Sequence, residues 1–126
     1  MTPRAKRGQQ VPPPPSDDEW ELRFGTKESL SFPELEKQFP GNCAEAKERL
    51  RTALTVRTDV QKPLKGRLDR RALRGVELEQ WQYDISSGAR LWYCVDPVAH
   101  VVWLTNASAA HPTATTSTNR RAPRNR

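Results

Sequence analysis

Between residues 19 and 25 the chain alternates, with Trp20, Leu22 and Phe24 interleaved with Glu19, Glu21 and Arg23. A period of two sends the two sets to opposite sides of an extended backbone, so this stretch is predicted as a short strand with one buried face. The period then lengthens. Ser31-Phe-Pro-Glu34 has the form of a capping box with proline in the first turn, and Phe32, Leu35 and Phe39 follow at i, i+3 and i+7. A short helix is expected there, closed by Pro40-Gly41. Asn42 is placed to cap a second helix, in which Cys43, Ala46, Leu50, Ala53 and Leu54 fall on one face with Glu45, Lys47, Glu48, Arg49 and Arg51 around them. A connection of about three residues predicts an antiparallel helix pair.

Residues 57–75 keep neither period and are read as a connector, with room for a short strand between Leu64 and Leu68. Three strands are predicted after it. Residues 77–85 are rich in aromatic and branched side chains and end at Ser86-Ser87-Gly88, a tight-turn sequence. Ala89, Leu91, Tyr93 and Val95 alternate with Arg90, Trp92, Cys94 and Asp96. Asp96-Pro97 opens another turn, and residues 100–105 complete a meander. The order strand, helix, helix, loop, three strands predicts an α+β domain with both helices on one face of a largely antiparallel sheet.

Composition sets the limits of that domain. Residues 1–15 hold Arg4, Lys6, Arg7 and the run Pro12 to Pro15, and residues 116–126 hold four arginines and nothing apolar enough to dock. Both are expected to be disordered tails flanking a domain at 16–115. The formal charge of +6 resides largely in them: the segment between has 14 basic and 15 acidic side chains. No stretch approaches the roughly 18 apolar residues of a membrane span, and prolines stand where a signal peptide would be apolar, so a soluble cytoplasmic chain without membrane partners is expected. Cys43 and Cys94 lie far apart, and with two histidines they form no zinc-site spacing. No metal or other cofactor is expected.

Within the near-neutral domain the connector stands apart. Arg57, Lys62, Lys65, Arg67, Arg70, Arg71 and Arg74 face only Asp59 and Asp69, while the segments on either side are each net −3. Such a concentration suits a phosphate backbone; it equally suits a solvated basic loop. Arg90 is the only basic residue between Arg74 and the last tail. Its guanidinium can take a phosphate bidentately while Trp92, on the same strand face, offers a stacking surface, or it can pair across the strands with Asp84. Tyr83, Tyr93, Trp81 and Trp103 read as core aromatics. His111, after the last strand, titrates near neutrality and can move a proton during RNA cleavage; His100, in a turn, is a weaker candidate.

The run from Leu78 to Pro97, with Lys62-Pro-Leu-Lys-Gly-Arg-Leu before it and His111-Pro-Thr-Ala-Thr after it, resembles the RelE/ParE superfamily of type II toxin-antitoxin toxins. Trp20-Glu-Leu-Arg-Phe-Gly-Thr26 and Pro40-Gly-Asn42 resemble an actinobacterial-type branch, and the likeness spans residues 18–116. It implies a RelE-like α+β fold of two N-terminal helices packed on a small, largely antiparallel, curved sheet with an open concave face. It also implies metal-independent cleavage of ribosome-associated mRNA, inhibition of translation, and a cognate antitoxin as partner. Carried over by position, the catalytic functions fall on Lys62, Lys65, Arg67, Arg90 and His111. RNA contacts are expected from Arg57, Arg70, Arg71, Arg74 and Trp92. A non-catalytic ParE-like gyrase inhibitor, or an RNA- or protein-binding descendant, is the alternative.

Overall fold

A computed structural model describes residues 5–16 and 18–109. Strand β1 (Glu21–Phe24) leads through a 3-10 turn (Glu28–Ser31) to helices α1 (Phe32–Gln38) and α2 (Pro40–Thr52). Short strand β2 (Gln61–Pro63), a second 3-10 turn (Gly66–Asp69) and β3 (Arg70–Leu73) precede the long strands β4 (Val76–Asp84), β5 (Ala89–Asp96) and β6 (Val101–Ala109). The sheet runs β1-β6-β5-β4-β2, with β3 also paired to β4. β1 lies parallel to β6 and the other pairs are antiparallel.

The expectation of two N-terminal helices on a small, largely antiparallel sheet is therefore corrected. The helices follow the first strand, and the sheet is mixed and six-stranded. Strand β6 shows why. Every residue from Val101 to Thr105 is buried, a burden that a meander's outer strand does not carry, and β1 supplies the missing neighbour by pairing Leu22 with Val102 and Phe24 with Leu104. Leu22, Phe24, Leu91, Tyr93, Val102 and Leu104 then form one core with Phe32, Leu35, Cys43, Ala46 and Leu50 of the helices.

Local chemistry departs from the expected caps. Ser31 makes no capping bond; its hydroxyl donates to the Ala107 carbonyl, with the Glu28 carbonyl also within reach at 3.0 Å. Phe39 alone separates the helices, and Asn42 lies inside α2, donating to the Ile85 carbonyl at 2.7 Å. The connector is more ordered than its aperiodic sequence suggests. Leu73 pairs with Val76 across Arg74-Gly75, and both linking residues have positive φ (51° and 79°), the two-residue hairpin geometry that matches strand twist.

Residues 5–15, expected as part of a tail, are placed against the domain, with residues 8–11 along β1. Val11 is buried in the core, its amide bonds to the Leu22 carbonyl, and the Phe24 amide bonds to the Gln9 carbonyl. Arg51, itself buried, donates to the carbonyls of Val11 (3.2 Å) and Pro13 (2.8 Å), and Lys47 donates to that of Pro12. Prolines cannot donate, but their carbonyls accept, and the basic face of α2 uses them. None of the described helices is long and apolar enough to cross a membrane.

Candidate functional site

Because the helices cover one side of the sheet, alternation along the strands decides what the other side shows. Along β4, Gln80, Gln82 and Asp84 alternate with the buried Trp81 and Tyr83, and with Ile85 just past its end. Between Leu91 and Tyr93 of β5 stands Trp92, with Arg90 before it. Register joins these into rows. Lys62 is opposite Gln82, Gln82 opposite Trp92, and Trp92 opposite Asn106; Asp84 is opposite Arg90, and Arg90 opposite Ser108.

A chain of polar contacts links the rows. Trp92 Nε1 donates to Gln82 Oε1 at 2.9 Å, and Gln82 Nε2 donates to Asp84 Oδ1 at 2.9 Å. Arg90 Nε lies 3.9 Å from the same Asp84 oxygen, with half of the arginine side chain exposed. So long and exposed an ion pair contributes on the order of 0–1 kcal/mol, leaving the guanidinium available to a stronger acceptor.

Toward the connector the face is closed. Gln80 donates to the Leu68 carbonyl at 2.8 Å and accepts from Thr105 at 2.6 Å, which draws the 3-10 turn carrying Arg67 onto the rim. Beyond it Leu73, Leu78, Cys94, Val101 and Trp103 make a second, smaller apolar cluster, and the Arg74 guanidinium lies 4.7 Å from the centre of the Trp103 ring. Burial pushes the Cys94 thiol up to about 12, so it is a packed, protonated group rather than a nucleophile.

The sequence-derived candidates thus separate. Lys62, Arg90 and Trp92 share the face that the described residues leave uncovered, and Lys65 and Arg67 are exposed at the start of the turn beside it. Arg71 and Arg74 belong to the end closed by the apolar cluster. Arg70 is in register with Glu79 and pairs with Glu77 (3.5 Å), and Arg57 is exposed in the loop before β2. His111 lies outside the described residues. His100, at φ 61°, stacks on Trp20 with centroids 4.1 Å apart. Tyr93 is fully buried on the helix side, its hydroxyl held by Leu54 and Gln61, and burial raises its pKa well above the ordinary tyrosine range.

Gln82 and Asn106 were not singled out from sequence, and Asp84 only as a partner for Arg90. The signal for two of them was the polar set at every second position of β4; Asn106 sits beside a bulge that no alternation reveals. Among the described residues no group of three or more His, Cys, Asp or Glu side chains is placed to hold a metal ion. No family model matches the chain, and no curated protein or solved structure matches it either.

Proposed function

We propose that this chain is a RelE/ParE-type toxin that acts on RNA in the cytoplasm, a metal-independent endoribonuclease directed at ribosome-associated mRNA and restrained by a cognate antitoxin. The observation that supports it best is the presence of Lys62 and Arg90, two cations separated by 27 residues of sequence, on one sheet face that the described residues leave uncovered. Strand spacing of about 4.8 Å and a rise of about 3.3 Å per residue put their Cα atoms roughly 12 Å apart, a gap that two long side chains close around a single phosphodiester. Cleavage without a metal proceeds by attack of the ribose 2′-oxygen on the adjacent phosphorus. Charge builds on the non-bridging oxygens as the 2′-oxygen bonds to phosphorus and loses its proton to water, and passes to the 5′-oxygen, which takes a proton from water, as the P–O5′ bond breaks; fixed cations on either side of the phosphorus stabilise that charge more than they stabilise the ground state.

The test is induction in growing cells followed by primer-extension mapping of cellular mRNA. Wild type is expected to arrest growth with discrete mRNA cuts, and Arg90→Ala and Lys62→Ala each to abolish the cuts while melting within a few degrees of wild type. Cutting that persists in both variants removes the two cations from the mechanism. Arrest with intact mRNA and accumulating DNA breaks transfers the reading to gyrase inhibition.

A further inference from the structure

Trp92 and Arg90 stand two residues apart on one strand face; Trp92 is bonded to Gln82, Arg90 lies beside Asp84, and these two β4 side chains are bonded to each other. The indole is anchored by its edge, Nε1 donating to Gln82, and the ring is partly exposed. Gln82 in turn fixes Asp84, and Asp84 sits beside Arg90. Both amide ends of Gln82 are thus committed, one to the ring and one to the carboxylate, and the distance between platform and cation is set by the β-strand itself. An i, i+2 step on a strand is roughly 6.6 Å, comparable to the separation of a base from its own phosphate.

Resting on the RNA reading above, we propose that this four-residue chain is a seat for a single unpaired nucleotide. Its base stacks on Trp92, its phosphate engages Arg90, and Gln82 and Asp84 act as positioning residues that hold the two contacts in register. A base inside a duplex has both π-faces occupied by its neighbours and cannot enter, so the ligand class is single-stranded RNA. Asn106, opposite Trp92 across the β5–β6 pair, is the neighbour whose amide would meet the edge of the seated base.

The test is fluorescence-polarisation binding of the full chain to three labelled probes of equal length: a single-stranded RNA, the same strand in a duplex, and a fully abasic ribose-phosphate strand. Wild type is expected to bind the single strand about tenfold more tightly than the abasic strand, the order of one stacked base. Trp92→Leu is expected to lose that factor on the single strand and nothing on the abasic strand. Gln82→Met keeps the side chain's volume and removes both of its bonds; it should lose several-fold on the single strand, leave the abasic strand unchanged and melt close to wild type. Arg90→Ala should weaken all three probes and lower the salt dependence of binding by about one phosphate contact. Equal binding of abasic and natural strands by wild type, or losses from Trp92→Leu and base removal that add, overturns the seat while leaving an Arg90-dependent RNA binder. Binding insensitive to Arg90→Ala overturns the functional reading itself.

Discussion

Tyr93 offers the sharpest check on how the site-bearing sheet is held. It is fully buried under the helices, and its hydroxyl donates to the Leu54 carbonyl at 2.6 Å while accepting from Gln61 Nε2 at 3.1 Å. Tyr93→Phe deletes one oxygen and changes little else. Gln61 retains its bond to the Ala53 carbonyl (2.8 Å), so the stranded group is the Leu54 carbonyl, at the point where the chain leaves α2. Leaving a buried acceptor unpaired costs about 1–3 kcal/mol, and the middle of that range corresponds to a fall of roughly 8–16 °C in Tm for a domain of about 100 residues. Urea unfolding followed by tryptophan fluorescence measures the free energy, with Tyr83→Phe as the comparison. Tyr83 is buried on the same face, but among the described residues its hydroxyl makes no hydrogen bond, and its loss should be felt by less than about 0.5 kcal/mol. Equal effects from the two substitutions would mean that ring packing, rather than the hydroxyl bridge, ties β2 and β5 to the end of α2.

Deleting residues 1–13 should lower stability by about 2–4 kcal/mol, because it removes the buried Val11 side chain and strips three carbonyl partners from α2; an unchanged melting curve would mean this segment contributes nothing to the fold. Gly25→Ala should cost about 1–3 kcal/mol, since its Cβ would lie 2.9 Å from the Leu104 carbonyl oxygen and 3.0 Å from Trp103 Cβ, neither of them a flexible side-chain end; Gly41→Ala, with open space around it, is the tolerated control. Burial raises the thiols of Cys43 to about 11 and Cys94 to about 12 from 9.0, so above pH 9 the unfolded chain releases protons that the native state keeps. Stability should therefore fall as pH rises from 9 toward 11, with up to about 1.4 kcal/mol per pH unit from each thiol. Replacing both cysteines by alanine should flatten that decline, and an unaltered slope would assign it to other groups.

The parts of this fold legible in sequence are those whose periodicity depends on one face being buried. β1, α1, β4 and β5 follow from their spacing, and Lys62, Arg90 and Trp92 were found from charge and alternation. The parts that were not legible depend on neighbours distant in sequence. Nothing local says that β6 lies inside the sheet because β1 returns beside it, that its second face packs on Leu73, Leu78 and Cys94, or that an apparent proline tail is received by arginine and lysine on α2. The connector misled in a different way. Its seven cations read as one patch, yet strand pairing turned Arg70 toward Glu77, laid Arg74 on Trp103 and left Lys62 facing Gln82. A charge count over a segment is blind to the face on which each strand residue emerges.

The strand borders bear on how this molecule can meet another. On one side, residues 9–11 lie against β1 and occupy backbone groups that it would otherwise show. On the other, the ladder along β4 is broken into two short pieces, one ending at Pro63, with a 3-10 turn between them. Among the described residues neither border gives an incoming chain a continuous row of amides and carbonyls to extend, which guards the protein against self-templated stacking.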